Sequence, residues 1–222
     1  MADLQGPKIR VGKLEKPVLL KKGTYIHFNT NVKKIKDIFI SYPRFPKDVK
    51  NGDRVLLDDG KISLQVKHTN KKNRVKLKVL FGGILNSNKG VNLPNTNISL
   101  PCLTKKDKND LEFVLQNKIE WIGLSFVRSA KDVRLLKTII KRHKESKALV
   151  VAKIEKPEAI SDIDNIILST DAIMVARGDL GVEVPSHKVP VYQKMIVQKC
   201  INQSKPVLIA TQMLESMTDN IS

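Results

Sequence analysis

The sequence is poor in cysteine, in aromatic residues and in long apolar runs. Two cysteines, Cys102 and Cys200, occur among 222 residues, and aromatic residues make up 5% of the chain. Two thiols are too few for a disulfide scaffold or a cysteine metal cage, so they indicate a cytoplasmic protein in which both pack as small apolar side chains. The longest apolar runs, such as residues 148–152, are too short to span a bilayer. The first 13 residues have no apolar stretch of the kind that a secretory signal carries, so we expect neither a secretory signal nor a membrane partner.

Acidic residues are scarce in the first half of the chain. Residues 1–100 carry 21 basic and 7 acidic side chains, whereas residues 101–222 carry 19 and 15, which gives a net charge of +18. This excess has two interpretations: a basic module that binds nucleic acid or another polyanion, or a lysine-rich solvated surface. Of the 40 basic residues 32 are lysine, whereas nucleic-acid sites rely on arginine and interleaved aromatic rings. We favour the solvated surface, with no nucleic-acid partner.

Residues 12–97 have the period of β structure. Val55 and Leu57 precede the turn sequence 58–60, and apolar residues then alternate with polar ones over residues 62–66 and 74–79. This alternation predicts hairpins with one buried face. We expect a small antiparallel barrel.

From residue 101 the pattern changes to short apolar runs between amphipathic helices. The runs begin at residues 121, 148, 172 and 206. Thr104 with Asp107, and Ser129 with Asp132, have the spacing of capping boxes at helix starts. Three predicted helices have apolar residues at helical spacing, which we expect to form their buried faces. These are Val133, Leu136 and Ile140; Ile160, Ile163 and Ile167; and Val191 with Met195. This alternation predicts a parallel sheet covered by helices, as an open doubly wound sheet or a β/α barrel. The glycine-rich turn of a dinucleotide fold and a Walker phosphate loop are both absent, which favours the barrel.

The ends of these strands carry the residues that are suited to chemistry. In a β/α barrel, active sites lie at the carboxyl ends of the strands. Lys153 and Glu155 are two positions apart and therefore point to the same side of a strand, and Asp179 follows the next strand. A lysine beside two carboxylates suits a divalent cation and a phosphoryl group.

Each of these residues also has a structural interpretation. Lys153 and Glu155 could form an ion pair that closes a strand end. Asp179 could cap a helix, and Thr211 could bond its own backbone. Phe126 is interpreted as packing, and the four histidines lack the paired spacing of metal ligands.

Several strings resemble the pyruvate kinase family. They are residues 3–10 (DLQGPKIR), 57–60 (LDDG), 88–94 (NKGVNLP), 100–107 (LPCLTKKD), 124–128 (LSFVR), 151–158 (VAKIEKPE), 174–183 (MVARGDLGVE) and 210–217 (ATQMLESM). They occur in the family's order along the whole chain.

The resemblance implies an α/β fold: a partial TIM (β/α)8 barrel with an inserted small antiparallel β-barrel lid domain. Residues 1–11 would be the tip of barrel strand 3, residues 12–97 the lid, and residues 98–222 barrel strands 4 to 7. The sequence resembles an internal fragment, without the early strands or the regulatory domain. We therefore expect the isolated 222 residues to be inactive, and full-length relatives to be homotetramers.

The resemblance also implies an activity, the transfer of a phosphoryl group from phosphoenolpyruvate to ADP in glycolysis, giving pyruvate and ATP. It assigns roles to residues as follows: Lys153 and Thr211 are catalytic; Lys153, Gly178, Asp179 and Thr211 bind substrate; Arg10 and Lys89 bind nucleotide phosphates; Glu155 and Asp179 bind Mg²⁺ or Mn²⁺; and Asp3 belongs to a monovalent-cation pocket.

The residue at position 8, Lys8, bears on whether the enzyme requires a monovalent cation. In the family, glutamate at this position goes with a requirement for K⁺, and lysine with its absence. The ammonium group would replace the charge that K⁺ brings, and Leu4 removes a hydroxyl that the family places in the pocket. We therefore expect that K⁺ is not required. The alternative is that Lys8 is one more surface lysine.

Overall fold

The structure is a computed structural model that describes residues 1–31, 37–94, 96, 98–143 and 146–211. The chain divides into two compact units. The first unit comprises Met1–Pro7 and Pro101–Ser222, and the second comprises Lys8–Leu100. In the described part of the chain, no helix has the length and apolar character needed to cross a bilayer.

Thirteen strands are formed by the described residues. They are β1 (Ala2–Leu4), β2 (Val18–Leu20), β3 (Tyr25–Asn29), β4 (Ile38–Phe39), β5 (Arg54–Leu57), β6 (Ile62–Thr69), β7 (Arg74–Phe81), β8 (Gly83–Leu85), β9 (Val91–Asn92), β10 (Trp121–Leu124), β11 (Leu149–Ile154), β12 (Ala172–Ala176) and β13 (Val207–Ala210). The helices are α1 (Phe45–Asp48), α2 (Lys105–Gln116), α3 (Ala130–Arg142), α4 (Pro157–Ser161), α5 (Ile163–Ser169), α6 (Arg177–Glu183) and α7 (Val189–Asn202).

The first unit is a parallel sheet in the order β1-β10-β11-β12-β13. All four predicted apolar runs are strands, and α3 to α7 alternate with them along the chain. From β10 onward each strand pairs with the next one in sequence, whereas a doubly wound sheet reverses its strand order. The architecture is therefore that of a partial β/α barrel. Because strand carboxyl ends meet at one edge of a parallel sheet, residues that follow these strands are brought together.

Both predicted capping boxes are present. The Asp107 carboxylate accepts the Thr104 N–H at 2.9 Å, and the Thr104 hydroxyl accepts the Asp107 N–H at 3.1 Å. Asp107 also accepts the Gly6 N–H at 3.1 Å, which ties the chain after β1 to the start of α2. At α3, Asp132 accepts the Ser129 N–H at 3.2 Å.

The predicted buried face of α7, with Val191 and Met195, is partly wrong. Val191 is 64% exposed, while Val189, Ile196 and Cys200 are the buried residues. At 3.6 residues per turn, Val191 lies on another face from Ile196 and Cys200. Cys102 and Cys200 are both buried free thiols in the apolar core, as predicted.

The second unit is a curled, mainly antiparallel β structure. Its larger sheet has the order β4-β3-β7-β6-β5-β9, and β2 pairs with β8 in a separate ribbon. The predicted hairpin connects β5 and β6 through Asp58, Asp59 and Gly60, all with positive φ. Among the described strand pairs of this unit, β3 with β4 is parallel rather than antiparallel, which the alternation pattern did not predict.

A hydrogen-bonded cluster joins helix α1 to the end of the second unit. The Asp48 carboxylate accepts the Tyr42 hydroxyl, the Ser99 N–H at 3.0 Å and the Ser99 hydroxyl at 2.6 Å. Burial and the bond to Asp48 raise the pKa of Tyr42. Burial by itself would raise the pKa of Asp48, but the bonds from Ser99 and Tyr42 outweigh it and lower the pKa.

Candidate active site

Lys153 is surrounded by oxygen atoms at the carboxyl edge of the parallel sheet. Its Nζ lies 3.0 and 3.1 Å from the two carboxylate oxygens of Asp3, 3.0 Å from Ser125 Oγ and 3.2 Å from Glu155 Oε1. Asp3 belongs to β1, Lys153 to β11, and Ser125 directly follows β10. The pairing of Asp3 with Gly123 and of Gly123 with Val151 aligns the three strands, so these side chains meet across them.

The cluster keeps Lys153 charged. Burial by itself lowers the pKa of Lys153, but the negative charges of Glu155 and Asp3 outweigh burial and raise the pKa. Lys153 therefore presents a fixed ammonium group, and its side chain remains 14% exposed.

Glu155 is the buried acid of the site, with only 2% of its side chain exposed. Its Oε2 accepts the Phe126 N–H at 3.0 Å. Burial raises the pKa of Glu155, the Lys153 charge lowers it, and the nearby charge of Asp179 raises it again, so that the pKa lies above its ordinary value. Asp179, in the first turn of α6, is therefore close enough for its negative charge to act on Glu155.

Phe126 takes part in the site through its backbone N–H as well as through its ring. Its φ of +54° lies in the left-handed region, which is uncommon for a residue with a side chain. In this conformation its N–H reaches Glu155. Gly6 lies against the ring, where an added Cβ would stand 2.8 Å from a ring carbon. The sequence predicted the packing of Phe126 but not this hydrogen bond, for which no spacing signal exists.

Gly178 and Thr211 contact each other at the ends of β12 and β13. The Gly178 N–H donates to Thr211 Oγ1 at 3.1 Å. The Arg177 guanidinium donates to the Thr211 carbonyl at 2.7 and 3.1 Å. Thr211 has a φ of +63°, which is strained for a β-branched residue. Strain of this kind is common at functional sites because the surrounding contacts must enforce it.

A second buried ion pair lies beside the site, and the sequence did not predict it. Lys156 Nζ is 2.6 Å from Glu183 Oε1, and their side chains are 10% and 2% exposed. Lys156 Nζ also lies 5.8 Å from the centroid of the Phe126 ring. The pair therefore connects the segment after β11 to the last residue of α6.

The donor set fits a hard divalent cation. Among the described residues, no three or more histidine, cysteine, aspartate or glutamate side chains are grouped so that they could hold a metal ion. A cation held by Glu155 and Asp179 would therefore take its other ligands from water and substrate. Glu155 and Asp179 supply carboxylates from neighbouring strand ends, and Mg²⁺ favours one or two carboxylates together with water and substrate oxygens. The Asp3 carboxylate contacts Lys153 and Ser125, so its role in binding a monovalent cation stays a prediction.

Arg10 and Lys89 lie together on the second unit. Arg10 forms a bridge with Gly90, and its guanidinium donates to the Asn88 carbonyl at 2.9 Å. Lys89 Nζ is 2.8 Å from Asp58 Oδ1, and this bond together with nearby lysine charges lowers the pKa of Asp58. Two cationic groups are thus grouped beside one acidic turn.

Known proteins resemble the chain along its whole length. Residues 1–222 match the family model described as "PK: Pyruvate kinase, barrel domain". A pyruvate kinase from Corynebacterium efficiens is 45% identical over 223 residues, covering 99% of this chain and 47% of the relative. One from Geobacillus stearothermophilus is 40% identical, covering 99% of this chain and 38% of the relative.

A solved structure agrees with these sequence matches. The crystal structure of a pyruvate kinase from Cryptosporidium parvum superimposes with a TM-score of 0.89 at 39% identity, covering 97% of this chain and 46% of that one. The chain thus spans less than half the length of these relatives. Because the match extends over every residue and includes the strand ends that carry the Lys153 cluster, the chain belongs to the pyruvate kinase family.

Proposed function

We propose that this chain forms the barrel and lid portion of a pyruvate kinase, which transfers a phosphoryl group from phosphoenolpyruvate to ADP and gives pyruvate and ATP in glycolysis. The observation that carries the proposal is the charged Lys153, whose Nζ lies 3.2 Å from Glu155 Oε1 at the carboxyl edge of the sheet, with the Asp179 charge acting on the same Glu155. Phosphoryl transfer requires little covalent participation by the enzyme. It depends on positioning and on compensation of negative charge.

Glu155 and Asp179 are the residues that would hold Mg²⁺ or Mn²⁺. When bound, the cation would neutralise charge on the phosphate oxygens. Glu155 is oriented by the Phe126 N–H and by Lys153, so its carboxylate is fixed before any ligand arrives. The Lys153 ammonium would stabilise the negative charge of the transferred group.

The remaining predicted residues would bind and orient the substrates. The Gly178 and Asp179 N–H groups, with the Thr211 hydroxyl, would hold the carboxylate of phosphoenolpyruvate. Thr211 would also lie near the path that delivers a proton to the enolate. On the second unit, Arg10 and Lys89 would bind nucleotide phosphates, for which Lys89 would exchange its bond to Asp58 for one to phosphate.

We further propose that a complete enzyme with this segment requires a divalent cation but not K⁺. Lys8 is exposed and Leu4 is buried, so Leu4 offers only backbone oxygen to a cation. We also propose a cytoplasmic enzyme that is homotetrameric at full length. It would act on small molecules and would not depend on nucleic acid or a membrane.

A hybrid enzyme tests the proposed activity. Residues 1–222 would replace the matching segment of the Corynebacterium efficiens relative, and pyruvate formation would be measured by coupling to lactate dehydrogenase. We expect turnover that depends on Mg²⁺, and Glu155→Gln should raise the Mg²⁺ concentration needed. Lys199→Met is the control, because Lys199 forms a partly exposed ion pair with Asp164. A folded hybrid without turnover would contradict the proposal.

Two other proposals concern the 222 residues by themselves. The chain spans 47% of that relative, and we propose that it does not turn over alone; pyruvate formation at the rate of the hybrid would contradict this. The alternative of a polyanion-binding module is tested by the salt dependence of binding to a DNA oligonucleotide. We expect weak, sequence-independent association that disappears with added salt.

A further inference from the structure

We propose that Lys156 and Glu183 are positioning residues that fix both carboxylates of the metal site, Glu155 and Asp179. The inference rests on the proposed function, because it concerns the proposed divalent-cation site. Neither residue was assigned a role from the sequence or from the family resemblance.

The first connection runs from Lys156 to Glu155 through Phe126. Lys156 Nζ lies over the Phe126 ring at 5.8 Å from its centroid, within the distance at which a cation is attracted to the face of an aromatic ring. The ring is also closed in by Gly6, where an added Cβ would stand 2.8 Å from a ring carbon. The ring thus held keeps the Phe126 backbone at φ +54°, where its N–H donates to Glu155 Oε2 at 3.0 Å. Moving the ring would release this hydrogen bond.

The second connection runs from Glu183 to Asp179 through helix α6. Helix α6 begins at Arg177 and ends at Glu183, so Asp179 lies in its first turn and Glu183 closes its last. The 2.6 Å ion pair attaches the last residue of this short helix to Lys156, which directly follows Glu155 in the chain. A single ion pair therefore sets the separation between the segments that carry the two carboxylates.

Stability alone is a poor explanation for such a pair. Removing two charges from water costs about as much as their attraction returns, and apolar replacements of buried pairs are often neutral or stabilising. Removing one partner is different, because it leaves a buried charge without compensation. Single variants of the pair should therefore lose stability, whereas an apolar double variant should not. A positioning role predicts that metal binding is weakened in both kinds of variant.

The test measures Mn²⁺ binding to the 222-residue chain, with the free ion followed by its electron paramagnetic resonance signal. Partners outside the ligand shell typically change metal affinity by about tenfold or more. We therefore expect Lys156→Met and Glu183→Gln each to weaken Mn²⁺ binding by about tenfold. Lys156→Arg keeps the charge and can stack on the ring, so it should retain most of the affinity. Lys199→Met is the matched control, because its ion pair has the same 2.6 Å length but is far less buried, with side chains that are 35% and 69% exposed.

The double variant Lys156→Met/Glu183→Met replaces both charges, so it lacks the uncompensated buried charge that each single variant leaves. We expect it to regain the parent's midpoint of urea unfolding while its Mn²⁺ affinity stays reduced. Deuterium exchange of the peptide amide of Phe126 should be faster in Lys156→Met than in Lys199→Met, because the hydrogen bond to Glu155 is loosened.

The outcomes distinguish this inference from the proposed function. If Glu155→Gln abolishes Mn²⁺ binding while the double variant binds as tightly as the parent, the positioning role is wrong and the metal site stands. If the parent does not bind Mn²⁺, or Glu155→Gln leaves binding unchanged, the proposed metal site is wrong and the inference is overturned with it.

Discussion

Replacing Asp48 with asparagine should destabilise the second unit. The carboxylate accepts the Tyr42 hydroxyl and two bonds from Ser99, and its side chain is 8% exposed. A hydrogen bond to a charged group contributes about 1.5–3 kcal/mol to stability. Ser99 is exposed, so water can replace much of its share, and we expect a loss of about 1–2 kcal/mol for Asp48→Asn. Asp48→Ala should cost about 2–3 kcal/mol, because it leaves the Tyr42 hydroxyl with a weaker partner.

The effect of Asp48→Asn should depend on pH with a definite sign. The pKa of Asp48 is lowered in the folded unit, since the bonds from Ser99 and Tyr42 outweigh burial. A lowered pKa means that the stabilisation is fully present above the ordinary carboxyl value of about 3.9. It is then lost as the pH falls through the folded pKa. Parent and variant should therefore converge in acid.

Urea unfolding followed by far-ultraviolet circular dichroism measures this effect at neutral pH and at a series of acidic values. Ser99→Ala and the double variant Asp48→Asn/Ser99→Ala complete a cycle, in which the double variant should cost less than the sum of the two single changes. The reasoning is refuted if Asp48→Asn unfolds at the parent's urea midpoint at neutral pH. It is equally refuted if the difference between them stays constant in acid.

Three further predictions concern the site, the thiols and the monovalent cation. In the hybrid enzyme, Lys153→Met should lower turnover by about 10²–10³, the usual cost of removing a group aimed at transition-state charge; near-normal turnover at saturating substrate would exclude its role. Burial raises the pKa of Cys102 to about 12 and of Cys200 to about 11, so mass spectrometry should find neither thiol alkylated by iodoacetamide at neutral pH until urea unfolds the chain. Rapid labelling of the folded chain would contradict that expectation. The hybrid should keep its rate when K⁺ is exchanged for tetraalkylammonium at constant ionic strength, and Lys8→Glu should create partial activation by K⁺. A large loss of rate in the unmutated hybrid would show that Lys8 does not replace the cation.

The local features of the fold were predictable because they depend on neighbours in sequence. The turn at Asp58, Asp59 and Gly60 and the capping box at Thr104 need only residues within a few positions of one another. Apolar runs separated by helices likewise indicated four strands of the parallel sheet. Val191 shows the limit, because α7 has more than one possible apolar face, and the face that becomes buried depends on what packs against it.

The candidate site was predictable where its residues lie at strand ends, as Asp179 does after β12, or two apart on one strand. The two-residue spacing of Lys153 and Glu155 placed them on one side of β11. By contrast, the contact between Lys153 and Asp3 joins residues 150 positions apart and depends on the register of three strands. The Phe126 N–H bond to Glu155 requires a left-handed backbone, which no residue type at that position signals. The Lys156–Glu183 pair joins the segment after β11 to the end of helix α6, and the approach of these two segments is set by the sheet.

The pairing of β1 with β10 has a consequence for the order of folding. Ala2 aligns with Ile122, although residues 8–100 form a separate unit between them. An unfolded insertion of that length would have to close as a large loop, whose entropic cost grows with the logarithm of its length. Strands β10 to β13, in contrast, pair with sequence neighbours and need only short closures. The β10–β13 sheet should therefore form early, and β1, with Asp3, should join it after the inserted unit has collapsed and shortened the path between them.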